Sequence, residues 1–361
     1  MGQILKIREL DRDDELGAVK KEISSRNGNF SFETPIVSQR KSTLSNTVQP
    51  LRINEIPRQI NDRVVIELEE RGITPFAYEV KQERLQDRLN LTIFNFQFDS
   101  VPSNKTLRLL AHALHASSED VMFLPAVKTL FLQETIPNRK TPIYSIKKVH
   151  DYLEMMKTII YESKFRNGQE LIGTIPLIPP KFVRPIIEFY LSEGIEAFAI
   201  DANFKDIILN EGDFRLILSE INMEKPLNET LIFACNVGIP QFEQHAIRSD
   251  DFLSIFAYVD VLGLTFKKRG GGVGIPRAKV FSREKYAYDV YSYPDASRVV
   301  GRPLNYSSLK YLNRIEQLKE THKVQHLLGD EKIKEYLQTK NAVDHASMKK
   351  LESIANNIKV A

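Results

Sequence analysis

The aspartates best placed for chemistry in this sequence are Asp201 and Asp260. Asp201 directly follows the apolar run FAI, and Asp260 alternates with two valines in the run YVDVLGL. A carboxylate at such a position could act as a general base, as a nucleophile or as an acceptor that recognises a nucleobase. The alternatives are a loop or capping carboxylate for Asp201 and a structural carboxylate bonded to a lysine for Asp260. We predict catalytic roles for both and keep both alternatives open.

Three further polar residues lie at or just beyond predicted strand ends. Asp99 follows the run LNLTIFNFQF, Asn203 lies two positions after Asp201, and Asn236 follows the run LIFAC. An asparagine side chain carries both a donor and an acceptor, so Asn236 could hydrogen-bond the edge of a base. We predict that all three bind substrate.

The run KKRGGGVG at 267–274 could contact phosphate. Lys267, Lys268 and Arg269 can neutralise an anion, and glycines such as Gly271 let backbone N–H groups approach it. The order of residues excludes a P-loop, which needs GK[ST] after the glycines, and a dinucleotide fingerprint, which opens a helix. We therefore predict a substrate-binding loop and no nucleotide cofactor, with a solvated loop as the alternative.

The sequence offers no strong metal site or hydrolase motif. The seven histidines form no HExxH motif of metalloprotease type, and the single cysteine, Cys235, excludes a zinc site built on several thiolates. His322 and His326 share a predicted helix, but no acidic or cysteine ligand accompanies them. A GxSxG motif is absent. We predict no metal and no cofactor.

The elements that must position these residues alternate along the chain. Apolar runs at 171–176, 196–200, 231–235 and 258–264 predict strands, and the stretches at 182–192, 213–221 and 242–256 predict helices. This alternation is typical of parallel strands with right-handed crossovers, whose sites form beyond the carboxyl ends of the strands. We predict an α/β fold, a TIM (β/α)8-type barrel with a C-terminal helical extension.

The predicted domain organisation has three parts. Residues 1–28 are charged and predict an N-terminal arm with at most a short helix. Residues 29–305 form the barrel domain, with a strand at 89–98, helices at 63–71 and 105–116, a long connection at 38–60 and a hairpin near 279–294. Residues 306–361 predict three helices from three apolar stripes.

Composition and charge limit the cellular compartments and the binding partners that the sequence predicts. The chain has 361 residues and a net charge of +3, which by itself indicates no nucleic-acid binder but allows a local basic patch. An apolar run of about 18 residues, the length that predicts a membrane span, is absent, and the N-terminus has no secretion signal. We predict a cytoplasmic protein without membrane association, with tRNA or DNA as a possible partner and a homo- or heterodimer as a possible assembly.

Seven segments together resemble the queuine and archaeosine tRNA-guanine transglycosylases, a family of TIM barrels. The segments are NFSFETPIV (29–37), SSEDVMFLP (117–125), GTIPLIPP (173–180), FAIDA (198–202), LIFACNVGIPQF (231–242), AYVDVLGLTFKKRGG (257–271) and THKVQHLLGDEKIKEYL (321–337). The resemblance covers about residues 29–340. It implies exchange of a nucleobase, such as a 7-deazaguanine, in tRNA or DNA through an aspartate nucleophile.

The sequence departs from this family at the positions of its active site. The family's nucleophilic aspartate falls at Gly263, its base-recognition aspartate falls at Leu124, and its zinc cysteines are missing. The first aspartate of the same family motif falls at Asp260. Three interpretations follow: a divergent transglycosylase with a relocated carboxylate pair, a non-catalytic subunit that binds RNA or a partner, and an unrelated TIM-barrel enzyme for a small anionic substrate.

Overall fold

The structure of the protein is a computed structural model. It describes residues 5–13, 15–25, 28–41, 52–98, 100–119, 121–127, 145–164, 170–239, 246–266, 277–328, 330 and 332–360.

The strands are short, and those of the largest sheet are mostly buried. They are β1 (Leu5–Arg12), β2 (Val19–Ser25), β3 (Ser31–Glu33), β4 (Ile36–Val37), β5 (Ile53–Ile60), β6 (Leu89–Phe96), β7 (Val121–Phe123), β8 (Ala126–Val127), β9 (Glu170–Pro176), β10 (Ala197–Asp201), β11 (Leu231–Cys235), β12 (Ala246–Arg248), β13 (Val261–Leu262), β14 (Ala278–Ser282) and β15 (Ala287–Tyr291).

The helices include the three predicted at the C-terminal end of the chain. They are α1 (Asp62–Arg71), α2 (Ile73–Gln82), α3 (Asn104–Ser117), α4 (Ile146–Lys164), α5 (Pro180–Ser192), α6 (Glu211–Glu224), α7 (Asp250–Leu253), α8 (Tyr293–Val300), α9 (Tyr306–Leu328), α10 (Ile333–Gln338) and α11 (His345–Val360).

Local sequence explains several helix boundaries. The side chains of Asn61, Ser103 and Ser292 each accept a hydrogen bond from a backbone N–H in the first turn of the helix that follows. Such caps satisfy donors that have no partner inside the helix. Gly301 ends α8 at φ 74, a left-handed conformation that glycine adopts without steric cost.

The largest sheet has six strands in the order β4-β13-β11-β10-β9-β7, and every pairing described in it is parallel. A second parallel sheet has the order β5-β6-β8, and two three-stranded sheets have the orders β1-β2-β3 and β12-β15-β14. All five residues of β10 and of β11 are buried, as expected for parallel strands covered on both faces. The predicted α/β class is confirmed, whereas closure into a TIM barrel stays a prediction.

The chain divides into two compact units. The first unit comprises Met1–Lys6, Ser24–Ser31 and Arg52–Asp201. In it β5 and β6 pair in register along all eight residues of each strand, and helices α2, α3 and α4 pack on one another in sequence. Its core is aliphatic and aromatic, with Leu114, Phe94 and Phe123 among its fully buried side chains.

The second unit comprises Ile7–Ile23, Phe32–Leu51 and Ala202–Ala361. It contains β4, β11 and β13, the antiparallel sheet of β12, β14 and β15, and helices α6 to α11. Helix α9 packs against both β4 and β14, and α11 packs against α6. The C-terminal helices, predicted as an extension, are therefore part of the core of this unit.

Two predictions of local structure were wrong, and a third holds only in part. Leu5–Arg12 and Val19–Ser25 form β1 and β2 where a loose arm or a short helix was predicted, and β5 lies inside the predicted connection at 38–60. In the segment predicted as largely helical at 242–256, Ala246–Arg248 form β12, Asp250–Leu253 form α7 and Ser254–Phe256 form a 3-10 helix. In the two later cases the strand pairs with a distant segment, β5 with β6 and β12 with β15. A partner this far along the chain leaves no local periodicity to read.

Candidate functional site

Asp201 lies where the sequence placed it, as the last residue of β10. It pairs with Pro176 of β9, its carbonyl oxygen accepts a hydrogen bond of 2.9 Å from the Leu177 N–H, and the residue is 3% exposed. Its charge acts on Tyr152, whose pKa is raised by burial first and by Asp201 to a lesser degree. The predicted position is confirmed, and the predicted catalytic role stays a prediction.

Two buried tyrosines near Asp201 were missed by the sequence analysis. The hydroxyl groups of Tyr152 and Tyr190 lie 2.6 Å apart and lie 2.9 and 3.2 Å from the carbonyl oxygen of Thr174. Since each hydroxyl has one proton, one of them donates to this carbonyl and the other donates to its neighbour. The hydroxyl of Thr174 donates in turn to the carbonyl of Leu124 over 2.5 Å. This network ties α4 and α5 to β9. Tyr152 and Tyr190 lie in helical patterns that the sequence analysis assigned only to packing.

Asp260 immediately precedes β13. It is buried, and both oxygens of its carboxylate have a neighbouring hydrogen-bond donor. Its Oδ2 lies 2.8 Å from the Nζ of Lys21 and accepts a 2.8 Å hydrogen bond from the Ile232 N–H. The Thr34 hydroxyl lies 3.5 Å from Oδ1. Burial raises the pKa of Asp260, and Lys21 and the Ile232 N–H limit that rise.

The ammonium group of Lys21 is also fully hydrogen-bonded. The Lys21 Nζ also donates to the carbonyls of Leu227 and Thr230, both over 2.7 Å, so each of its three N–H groups has an acceptor. The side chains of Lys21 and Asp260 are 1% and 2% exposed. This geometry favours the alternative left open above, a structural carboxylate bonded to a lysine.

Asn203 and Asn236 both lie in strained turns beyond strand ends. Asn203, Phe204 and Asn236 have φ values of 46, 65 and 52, in the left-handed region that non-glycine residues rarely occupy. Such strain concentrates at functional sites, where it costs on the order of 1–3 kcal/mol per residue and less for asparagine. The Phe204 N–H donates to the Asn236 carbonyl over 2.8 Å, and the Asn236 Oδ1 accepts from the Phe266 N–H over 2.9 Å. Asn236 thus fixes two neighbouring segments.

Gly238 lets these segments approach closely. Its N–H donates to the Lys205 carbonyl over 2.9 Å. A Cβ built on Gly238 would lie 2.0 Å from the carbonyl oxygen of Phe204 and 2.6 Å from its carbonyl carbon. Because both atoms belong to the backbone, no rotamer change could relieve the clash. Gly238 is therefore required for the present position of Phe204.

A cavity of about 270 Å³ opens beside these turns in the second unit. It lies beyond the carboxyl ends of β11 and β13, and its lining includes Phe204, Gly238, Thr265, Lys279, Tyr306 and Lys310. The Nζ of Lys310 lies 4.7 Å from the centre of the Tyr306 ring, and Tyr306 is 63% exposed. Among the described lining residues are two lysines and no carboxylate. The cavity therefore suits an anionic ligand with an aromatic group.

The residues predicted from strand ends lie at the rim of this cavity, whereas its lysines were not predicted. Asn203 and Asn236 adjoin it along the chain, whereas Lys279, Tyr306 and Lys310 come from β14 and α9. Tyr306 and Lys310 are four residues apart, a spacing that places them on one face of a helix. That spacing was the available signal, and the apolar stripe of the same helix obscured it.

Five predicted site residues fall outside the described residues. They are Asp99, Lys267, Lys268, Arg269 and Gly271. Their predicted roles in substrate binding stay predictions.

No protein-family model matches the chain, and no curated protein matches it. The resemblance to the transglycosylases therefore rests on the seven segments quoted above. Within the described residues, none of the helices has the length and apolar character needed to cross a membrane.

Proposed function

We propose that the protein acts on a nucleobase, carried by a nucleotide or by tRNA or DNA, and that the cavity beside Phe204 and Tyr306 holds the nucleotide. The observation that carries this proposal is the combination of two aromatic side chains with Lys279 and Lys310 in one cavity. A base stacks on an aromatic ring, and a lysine attracts the attached phosphate. The position beyond the carboxyl ends of β11 and β13 supports it, because sites of parallel α/β proteins form there.

The proposed reaction is base exchange of the transglycosylase type. On the ground of the family resemblance alone, the Asp201 carboxylate attacks the anomeric carbon of the target nucleotide, the bond to the base breaks, and the base leaves with the bonding electron pair and takes a proton from solvent. An incoming base, which loses its N–H proton to solvent, then displaces Asp201 and restores the glycosidic bond. The proposed fold is the barrel predicted from sequence, in which Asp201 ends one of the parallel strands.

A second candidate is a subunit that binds a nucleotide or RNA without chemistry. One observation favours it: Asp260, the predicted partner carboxylate, is buried in an ion pair with Lys21 at 2.8 Å. Base exchange needs a group that protonates the leaving base, and the Asp260 carboxylate is already paired with Lys21.

Equilibrium binding of guanosine 5′-monophosphate and of a tRNA tests the site. Tyr306→Ala removes the stacking surface and Lys310→Ala removes a cation, and each is expected to weaken binding at least about tenfold, the effect of a loss of about 1.4 kcal/mol. Lys319→Ala is the matched control, because Lys319 lies on the same helix but pairs with Glu316 at 2.6 Å. If neither probe binds the wild-type protein, the proposal is wrong.

Exchange of labelled guanine into the bound nucleic acid then separates the two candidates. Exchange by the wild type that is abolished in Asp201→Asn supports the enzyme. Binding without exchange supports the non-catalytic subunit. Exchange that survives Asp201→Asn removes Asp201 from the reaction.

A further inference from the structure

Residues 202–210 reach the cavity through Phe204. Phe204 lines the cavity, and backbone hydrogen bonds join this segment to Cys235, Asn236 and Gly238. The next contact along the segment is Asp206. Its Oδ1 accepts hydrogen bonds from the N–H groups of Ile208 and Leu209, over 2.9 and 3.0 Å.

The second oxygen of Asp206 faces another carboxylate. Asp206 is 6% exposed, and its Oδ2 is buried with no hydrogen-bond donor among the described residues. The group within hydrogen-bonding reach is the side chain of Asp250, which is itself 0% exposed. Two carboxylates have only acceptors, so a hydrogen bond between them needs a proton on one of them.

Among the neighbouring charges, Asp250 favours keeping that proton and Arg248 opposes it. Arg248 of β12 binds Asp250 through Nε and through a 2.7 Å contact from Nη2, and it also contacts Asp344 over 3.2 Å. One guanidinium thus faces three carboxylates, of which Asp250 takes both strong contacts. Lys205, on the same segment as Asp206, acts on Asp213, and Lys350 acts on Asp344. Burial first, and Asp250 second, raise the pKa of Asp206 to about 8.

We propose that one proton shared by Asp206 and Asp250 holds the segment 202–210, and with it Phe204, in place beside the cavity, and that loss of this proton releases the segment. At neutral pH the pair carries a single negative charge, which Arg248 balances. In alkaline solution the proton passes to solvent and a second negative charge appears in a buried position. Since two buried like charges within hydrogen-bonding reach of each other repel strongly in a medium of low dielectric constant, Asp206 moves away from Asp250. This proton-dependent change of position does not depend on which ligand the cavity binds.

A tryptophan at position 204 gives a direct readout, because the natural sequence contains no tryptophan. The emission maximum and acrylamide quenching of Phe204→Trp are measured between about pH 6 and pH 10, with folding checked by circular dichroism. The expected result is a transition to a more exposed tryptophan with a midpoint near pH 8, the pKa of Asp206. The same transition should be absent in Phe204→Trp/Asp206→Asn, since an amide donates a hydrogen bond without titrating.

Two further variants distinguish the titration of the Asp206–Asp250 pair from other effects of alkaline pH on the protein. Phe204→Trp/Asp250→Asn should move the midpoint to lower pH, because the like charge that holds the proton is gone. Phe204→Trp/Glu224→Gln is the matched control, since Glu224 is an exposed carboxylate at the end of α6, and its midpoint should equal that of Phe204→Trp.

Amide hydrogen exchange on the wild type covers the case in which Phe204→Trp fails to fold. Protection factors of Ile207, Ile208 and Leu209, corrected for intrinsic rates, should fall above about pH 8 in the wild type and stay constant in Asp206→Asn. A transition that persists after Asp206→Asn overturns the proposal, and so does constant protection in the wild type.

Discussion

Replacing Lys21 by Met tests whether the buried ion pair with Asp260 is a structural element. The substitution keeps the aliphatic stem, removes the ammonium and leaves Asp260 as an unpaired charge with 2% exposure. Breaking a buried pair on one side costs about 3–5 kcal/mol, or roughly two to four orders of magnitude in the unfolding equilibrium constant. Urea unfolding should show this loss. Lys20→Met is the matched control, because Lys20 pairs with a half-exposed Glu33 and should cost at most about 1 kcal/mol.

A double-mutant cycle with Asp260→Asn isolates the interaction. The single variants should together lose at least about 1 kcal/mol more than Lys21→Met/Asp260→Asn, because each leaves one buried group without its partner. In Lys21→Met the pKa of Asp260 should rise further, so the protonated form persists to higher pH in the folded state. A raised carboxyl pKa contributes stability at acidic pH that is lost as pH rises, so the deficit of Lys21→Met should grow as the pH rises above the usual carboxyl pKa. A cost below about 1 kcal/mol with additive single variants would refute the reasoning.

Three other outcomes follow from the second unit. Gly238→Ala should cost about 1–3 kcal/mol in urea unfolding and weaken nucleotide binding, because its Cβ meets the Phe204 backbone at 2.0 Å. Lys310→Ala should reduce the salt dependence of tRNA binding by about one counterion, measured as the slope of log K against log salt concentration, and Lys319→Ala should leave it unchanged. The pKa of Asp206, raised from 3.8 to about 8, contributes stability at acidic pH that is lost over that interval. Asp206→Asn should therefore remove a slope of up to about 1.4 kcal/mol per pH unit from plots of unfolding free energy against pH.

The parts of the fold that could be predicted are those with local signals. Strands β9, β10 and β11 were predicted within a residue or two, because each is a short apolar run between helical patterns. Strand β5 was missed, since its sequence INEIPRQI is polar in part and contains a proline, and only its pairing with β6 makes it a strand. Strand β13 is shorter than predicted, with Asp260 just outside it.

The residues of the candidate site likewise differ in whether the local sequence predicts them. The strand-end rule found Asp201, Asn203 and Asn236, because it needs only the end of a predicted strand. It could not find Lys279 and Lys310, which reach the cavity from a hairpin and a helix that follow the βα region in sequence. It also could not show that Asp260 faces Lys21, since 239 positions separate the two residues.

The residues at the two ends of β11 contribute differently to stability and to the cavity within the second unit. At its start the Ile232 N–H donates to Asp260, whose Oδ2 also binds Lys21, and this group is buried. Beyond its end Asn236 adopts a left-handed conformation and holds the backbone of Phe204 and of Phe266 beside the cavity. Removing one partner of a buried, fully bonded ion pair destabilises the folded chain, whereas strained backbone beside an open cavity is typical of a binding site. Variants at the start should therefore change the free energy of unfolding at constant ligand affinity, and variants at the end should change affinity first.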